Sequence, residues 1–466
     1  MLLSPEFLLQ LLQRFIKSSI QIKQIHSLLI TNGDLLSIRS PSTFKWTTTL
    51  LYNALIRAYL NIHLPRTTLI LFTHMLSHNI PPNPYTFPSL AKAAAAITPS
   101  LIAKPLYTQA FKRGVLADPF VQTSFINLFS QSGHLSCALN LFDEMPEPCI
   151  VSCNAMLDGF CKNGDMDSAV SFFKRMPKRD VYSWTTIVNG YTKKGSHETA
   201  IRFFQMCVRD CSVKPNEATY VSVLSSCANS DMIGGLLYGK QIHAYIIKNQ
   251  DEITSFIGTS LISLYGKTGR LQYATKVFQS LTKKEICTWN AMIGALASHG
   301  KENQALEMFE KMKIDTCHPN EVTFVAILAA CARAKLVEQG LEYFQSMLPE
   351  FGIVPKMEHY GCVVDLLGRL GFLLEAKDFI NRMPFEPDAS VLGALLGACR
   401  LHGNIDIGND VAKSLLELEP WQCGQHILLS SIHADVANWE YATSLRNVMV
   451  GVGVEKLRGY SMVNWM

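Results

Sequence analysis

A short run of residues recurs six times along this chain, and it fixes what the chain can fold into. A Gly is followed five residues later by Ala, four after that by an apolar residue, and three further on by another: Gly133, Ala138, Phe142, Met145. The same spacing returns at Gly164, Ala169, Phe173, Met176 and at Gly195, Ala200, Phe204, Cys207. It returns again at Gly269, Ala274, Phe278, Leu281, at Gly300, Ala305, Phe309, Met312, and at Gly371, Ala376, Ile380, Met383. Steps of four and three place those side chains on one helical face, and the Gly breaks the chain just before the helix starts. The copies begin 31, 31, 74, 31 and 71 residues apart, a period in the thirties with one helix-turn-helix per unit. No such unit buries its apolar face alone, so the pattern predicts an all-α array of stacked helix pairs.

Composition agrees. Hydrophobic content of 48% and a mean hydropathy of +0.13 are high for a water-exposed chain, and stacking explains them, because each unit is covered on both sides. No stretch approaches the roughly 18 uncharged apolar residues of a membrane span, so no membrane partner is expected. The most apolar run, Ala91 to Ala103, is interrupted by Lys92 and Pro99 and reads as a weak helix ending in a turn. A net charge of +4 over 466 residues neither demands nor excludes a nucleic-acid partner.

Thirteen cysteines contain no Cys-x-x-Cys pair; the nearest spacings are Cys149/Cys153 and Cys207/Cys211. A His-x-Glu with a downstream cysteine pair is also missing, so no metal site and no zinc-deaminase chemistry are expected. Cys227, Cys331 and Cys399 each follow two small residues, a context for small buried side chains where helices approach closely. Reduced, buried cysteines suit an intracellular compartment.

In several units the first helix opens with an aromatic or Cys, then Asn or Thr: Tyr52-Asn53, Cys153-Asn154, Trp184-Thr185 and Trp289-Asn290. Asn and Thr are poor inside helices, so their return at one place points to a capping role or to a polar face held for a partner. Units close on a polar residue, often after Pro: Pro215-Asn216, Pro319-Asn320, Arg179-Asp180. There Pro is expected to stop the second helix, and the Asn or Asp to cap the next first helix.

Tyr52-Asn53-Ala54-Leu55-Ile56, Trp289-Asn290-Ala291-Met292-Ile293, Asp143-Glu144-Met145-Pro146 and Pro319-Asn320-Glu321-Val322-Thr323-Phe324 resemble the repeats of plant pentatricopeptide repeat proteins. The alternating lengths resemble the subclass that cycles through standard, long and short motifs. That resemblance implies a right-handed α-solenoid superhelix and ten repeats: 49–83, 84–118, 119–149, 150–180, 181–216, 217–254, 255–285, 286–320, 321–356 and 357–388. Residues 389–466, with Leu415-Leu416-Glu417-Leu418-Glu419-Pro420 and Gly459-Tyr460-Ser461, resemble the family's C-terminal extension. The deaminase domain that some relatives append is expected to be lacking. Residues 1–48 are less regular, although Lys23-Gln24-Ile25-His26 echoes Lys240-Gln241-Ile242-His243. Met1 to Ile20 suits either an organellar import helix or a capping helix over the end of the array.

The family binds single-stranded RNA, one base per repeat, with first helices lining the groove and apolar neighbours sandwiching each base. Two positions carry the choice: the polar residue after the aromatic and the last residue of the repeat. Carried over by motif, the pairs are Asn53/Asn83, Thr123/Cys149, Asn154/Asp180, Thr185/Asn216, Thr259/Glu285 and Asn290/Asn320. By the family's code Asn with Asp favours U, Thr with Asn favours A, and Asn with Asn favours a pyrimidine. Thr123/Cys149 and Thr259/Glu285 depart from the usual pairs and lean only toward purine. Pro88/Asp118, Val221/Thr254, Val325/Lys356 and Gly361/Asp388 offer too little polar chemistry to choose a base.

The resemblance therefore implies a non-enzymatic, cofactor-free factor that selects a cytidine for C-to-U editing in an organellar transcript. Its extension would recruit a deaminase in trans, together with other editing factors. The alternative is RNA binding for stability, splicing or translation without editing. A protein-binding tetratricopeptide array is disfavoured, because the Trp-x-x-Leu-Gly-x-x-Tyr pattern is missing. The expected compartment is the mitochondrion, with the chloroplast as the alternative.

Overall fold

The computed structural model describes residues 5–16, 18–35, 43–97, 99–210, 213–230, 234–249, 252–419 and 423–451, and among them it is helical throughout, with no strand. The chain divides into two compact units, Met1–Ser226 and Cys227–Met466. The first holds α1 (Pro5–Arg14), α2 (Ser19–Thr31), α3 (Thr43–Asn61), α4 (Pro65–Ser77), α5 (Thr86–Ile97) and α6 (Pro99–Lys112). It continues with α7 (Pro119–Gln131), α8 (Leu135–Asp143), α9 (Ile150–Lys162), α10 (Met166–Arg175), α11 (Val181–Lys193) and α12 (His197–Arg209). Helix α13 (Glu217–Asn229) carries the boundary. The second unit has α14 (Gly234–Asn249), α15 (Ser255–Lys267), α16 (Leu271–Ser280), α17 (Ile286–Ser298), α18 (Glu302–Ile314), α19 (Glu321–Ala334) and α20 (Val337–Ser346). After these come α21 (Met357–Arg369), α22 (Leu373–Asn381), α23 (Ala389–His402), α24 (Ile405–Leu418), α25 (Cys423–Asp435) and α26 (Trp439–Gly451).

Within each unit a first helix packs on its own second helix and on the first helix of the next pair. Thus α7 meets α8 and α9 in the first unit, and α15 meets α16 and α17 in the second. The recurrent Gly explains how each pair turns. Gly133, Gly164, Gly195, Gly269, Gly300 and Gly371 all lie at left-handed φ, from 69° to 85°. The residue after each reaches back to the carbonyl five before it, as in His134 N to Phe129 O (2.9 Å) and Arg270 N to Tyr265 O (2.8 Å). That is the Schellman ending of a helix, which favours Gly at the turn. Lys335 makes the same turn at φ 60° without being Gly, with Leu336 N bonded to Cys331 O at 3.0 Å.

The Ala of each copy is wholly buried: Ala138, Ala169, Ala200, Ala274, Ala305 and Ala376 are all 0% exposed. The following aromatic packs edge-on against the aromatic that opens the next first helix, with Phe173 and Trp184 ring centres 4.8 Å apart and Phe278 and Trp289 4.9 Å apart. First helices approach so closely that a Cβ on Gly266 would lie 2.8 Å from that of Ala295, and one on Gly368 2.6 Å from that of Ala398.

The three cysteines among small residues are buried as their context implies. Burial pushes the Cys227 thiol up to about 12 and those of Cys331 and Cys399 to about 11. A Cβ on Gly340 would stand 3.2 Å from Cys331 Cβ and one on Gly408 3.5 Å from Cys399 Cβ, so small residues face the thiols across each pair. The twelve cysteines among the described residues are free thiols; Cys211 lies outside them.

Two expectations change. Pro215 and Pro319 do not stop the second helices: α12 and α18 have already ended at Arg209 and Ile314, and each Pro lies in the connection beyond. Asn and Thr after the aromatic do not cap either. Asn154 and Asn290 stand in the second turn of α9 and α17, past the end groups that a cap would meet.

At the N-terminus, α1 and α2 pack against α3, with Leu8, Leu12, Ile22 and Leu29 buried. Met1 to Ser4 and Lys17 lie outside the described residues. The Lys-Gln-Ile-His echo is structural: His26 Nδ1 meets Tyr59 OH at 2.9 Å, and His243 Nδ1 meets Tyr265 OH at 2.8 Å. Of the aromatics in the C-terminal extension, Trp439 is 66% exposed; Trp421, Tyr460 and Trp465 lie outside the described residues.

Candidate nucleic-acid interface

The polar residue in the second turn of a first helix and the last residue before the next helix are brought together by the stacking of that next helix. Asn53 Nδ2 donates to Asn83 Oδ1 at 2.9 Å, Asn154 Nδ2 to Asp180 Oδ1 at 3.1 Å, and Asn290 Nδ2 to Asn320 Oδ1 at 3.0 Å. Thr185 Oγ1 stands 3.4 Å from Asn216 Oδ1, while its hydrogen goes to Val181 O at 2.7 Å. Three of the six pairs are thus hydrogen-bonded across some thirty residues of sequence, and a fourth is in near contact.

The other two pairs are not bonded to each other. Thr123 donates instead to Pro119 O in its own helix (2.7 Å), while the Cys149 thiol is met by the Ser152 hydroxyl at 3.6 Å. Thr259 meets the Thr288 hydroxyl at 3.0 Å, and Glu285 pairs with Lys283 at 3.1 Å. Thr123 and Cys149 nevertheless line an open groove, and Glu285 lines another. One of about 630 Å³ in the first unit includes Tyr85, Asp118, Phe120, Thr123 and Cys149. One of about 690 Å³ in the second includes Glu285, Cys287, Asn290, Asn320 and Val322.

The last residue has a second job. Asp180 and Asn320 are N-caps: their Oδ1 atoms accept the backbone N–H of Ser183 (2.9 Å) and Thr323 (3.1 Å). Asn216 does the same for Thr219 at 2.9 Å. Because a backbone N–H only donates, the cap must turn oxygen toward the helix. This settles the amide of Asn216 and Asn320: Oδ1 is committed inward, and Nδ2 takes part in none of these bonds. In Asp180 the uncommitted atom is Oδ2. An Asp therefore offers a ligand an acceptor where an Asn offers a donor. Burial raises the Asp180 carboxyl, but bonds from the Ser183 N–H and the Asn154 amide outweigh it and hold the group below its ordinary value. It is a carboxylate at neutral pH.

Two sets of residues were not singled out from the sequence. Two places after the last residue stands an exposed apolar side chain in six repeats: Tyr85, Phe120, Val151, Tyr182, Phe256 and Val322, between 55% and 79% exposed. These flat or branched groups flank the polar pairs and suit stacking with bases. Exposed apolar residues at a fixed offset were the available signal. Three places after each last residue stands a wholly buried side chain. It is hydroxylic at Thr86, Ser152, Ser183, Thr219, Thr288 and Thr323, the six places that follow the six polar pairs. It is Val121, Ile257, His359 and Val391 after the four pairs with little polar chemistry.

Asp118, Thr254 and Asp388 also cap the helices that follow them, although their partners Pro88, Val221 and Gly361 carry no hydrogen-bonding side chain. Lys356 forms an exposed ion pair with Glu321 at 2.9 Å. Among the described residues no group of three or more His, Cys, Asp or Glu is placed to hold a metal ion. Nor is any helix long and apolar enough to cross a membrane.

Stacked helix pairs, several of them joined by a bonded polar pair, define a helical repeat protein. Comparison with known proteins puts a family to it. Residues 148–182, 179–229 and 284–333 match the PPR repeat family, and 123–148, 259–286, 322–348 and 358–386 match the PPR repeat. Residues 402–464 match the E motif. A pentatricopeptide repeat-containing protein of Arabidopsis thaliana is 49% identical over 463 residues, 99% of this chain and 98% of that one. The pentatricopeptide repeat-containing protein ELI1, chloroplastic, of the same plant is 42% identical over 395 residues, 84% of this chain and 61% of that one. The crystal structure of the pentatricopeptide repeat protein PPR10 from maize aligns with TM-score 0.49 and 16% identity, over 97% of this chain and 74% of that one. The chain belongs to the pentatricopeptide repeat family.

Proposed function

We propose that this chain binds single-stranded RNA through its polar pairs, one base at each, and that it selects a cytidine for C-to-U editing in an organellar transcript. The observation that carries the first part is the bonded pair itself, held at the groove between exposed apolar side chains. Its chemistry suits the Watson–Crick edges of bases. U presents an N3–H donor, which fits the free Oδ2 of Asp180; C presents an N3 acceptor, which fits the free Nδ2 of an Asn. A presents an N1 acceptor, which fits Asn216. Asn154/Asp180 followed by Thr185/Asn216 would then select U followed by A.

The match of residues 402–464 to the E motif supports the editing role. In that role residues 389–466 dock a deaminase supplied in trans, with other editing factors, and add little RNA affinity. The exposed Trp439 and Tyr441 are the side chains suited to such an interface. The work would take place in the mitochondrion or, as with relatives named chloroplastic, the chloroplast.

Selection from a randomised RNA pool tests the binding, with the U-A step enriched; a pool returned without enrichment refutes it. Sequencing organellar RNA from a plant lacking the protein tests the editing. One or more sites should remain cytidine, and changes confined to transcript abundance or splicing would establish the alternative role. Purified chain alone should convert no cytidine.

A further inference from the structure

We propose that Thr86, Ser183 and Thr323 are positioning residues for base selection: each buried hydroxyl sets which face of a reading Asn amide is turned to the groove. The inference rests on the RNA-binding reading above and goes further, since it concerns side chains that reach no ligand.

The three hydroxyls are bonded alike. Each accepts the backbone N–H of the last residue before its helix: Asn83 N at 3.1 Å, Asp180 N at 3.3 Å and Asn320 N at 3.1 Å. Each also lies near two oxygens, but a hydroxyl has one hydrogen to give. The shorter approach is to the reading Asn in every case: Asn53 Oδ1 at 2.7 Å, Asn154 Oδ1 at 2.6 Å and Asn290 Oδ1 at 2.7 Å. The corresponding distances to the capping Oδ1 are 3.2, 2.9 and 3.1 Å.

The amide is then held at both ends. Its Oδ1 accepts from the hydroxyl, and one Nδ2 hydrogen goes to the capping oxygen. The second Nδ2 hydrogen is left for a base, so the Asn acts as a donor. The terminal torsion of Asn is broad and two-fold, so orientation comes from these partners rather than from the side chain itself. Turned over, the amide would set its oxygen against the capping oxygen, and the hydroxyl would lose its preferred acceptor. Without the hydroxyl, the inward Oδ1 loses its donor and the amide gains reason to rotate toward water. A donor and an acceptor would then both be offered to the base, and the preference would fade. Thr219 and Thr288 extend the scheme to hydroxyl readers, at 2.6 Å from Thr185 and 3.0 Å from Thr259.

Ser152 supplies an internal control. It occupies the same helix position and donates to Cys149 O at 2.8 Å, and the reading residue of its pair, Thr123, has no amide to orient. The test compares the full-length protein with Ser183→Ala, Thr323→Val, Ser183→Thr and Ser152→Ala. RNAs differing at one base are competed in gel shifts, and urea unfolding is measured alongside. Discrimination at the base matched to the substituted pair should fall about tenfold in Ser183→Ala and Thr323→Val. Affinity averaged over the four bases should stay within about threefold, and Ser183→Thr should restore the wild-type preference. Ser152→Ala removes a buried hydroxyl from the same helix position and should leave every preference intact. If wild type discriminates and both hydroxyl-free variants discriminate equally well, this inference is overturned while the RNA-binding reading stands. A wild type that shows no base preference overturns both.

Discussion

The sharpest test of the interface is Asp180→Asn, because the structure separates what the change does to the fold from what it does to the ligand. Asp180 caps α11 through Oδ1 and leaves Oδ2 for a base. Asn caps a helix about as well as Asp, so the Ser183 N–H bond survives. What the fold loses is one negative charge at a helix N-terminus, worth about 0.3–1 kcal/mol. What the groove loses is an acceptor, replaced by an NH2 donor, and a well-placed base contact of the comparable kind is worth about 1–3 kcal/mol. That converts to about 5- to 150-fold in relative affinity. Preference at this position should therefore move from U to C by that factor, while the unfolding free energy changes by less than about 1 kcal/mol. Gel-shift competition at fixed salt reads the first quantity and urea denaturation the second. The charge contribution has a defined pH dependence. The folded carboxyl lies below its ordinary value, so its contribution is present above the unfolded value of about 3.9 and is lost as pH falls through the folded one. Wild type and variant should converge in stability below that pH. A variant that keeps its U preference refutes the donor–acceptor logic. One that loses more than about 2 kcal/mol refutes the equivalence of the caps.

Three further outcomes follow from particular sites. Lys335→Gly should stabilise the second unit by about 1 kcal/mol, because a Schellman turn at φ 60° costs Lys what it does not cost Gly; a urea midpoint that fails to rise would contradict this. Burial holds the imidazoles of His26 and His243 below their ordinary value, so below pH about 6.5 the unfolded chain takes up protons that the folded chain does not. Stability should thus fall between pH 7.5 and 5.5, and fall less in a His26→Asn, His243→Asn variant, as thermal melts at both pH values would record. Cys149 is the one exposed thiol among the described cysteines, and the hydrogen bond from the Ser152 N–H lowers it below its ordinary value; brief iodoacetamide treatment followed by peptide mass mapping should find it modified first.

Much of the fold was legible because one short pattern served several ends. The Gly marked a left-handed turn, the Ala a close helix contact, and the Phe a partner for the next aromatic, as Phe173 against Trp184 shows. Periodicity alone therefore located the helix pairs. The polar pairs were placed by family resemblance, and the structure adds which atoms meet. What the sequence concealed was the third member of each set. Thr86, Ser183 and Thr323 look like ordinary first-turn Ser or Thr residues, and only the distance across thirty residues shows their hydroxyls aimed at a neighbouring amide. Proline was read from local propensity, whereas α12 and α18 end earlier; of the two roles open for the second-turn Asn, capping falls, since its amide bonds a partner outside its own helix. Tertiary bonds overrode local preference.

The last residue of a repeat, which caps the next helix, has a limited alphabet. Asn83, Asp118, Asp180, Asn216, Thr254, Asn320 and Asp388 are drawn from Asn, Asp and Thr, the side chains whose short oxygen reaches the first-turn N–H. Under the proposed reading, exchanges within that alphabet would alter what is recognised and leave the scaffold nearly untouched, so new targets would be reachable one substitution at a time without passing through an unstable chain. Departures from it, such as Glu285 or Lys356, forgo a cap worth about 1 kcal/mol. The grammar of helix ends thus sets which recognition codes can be written at all.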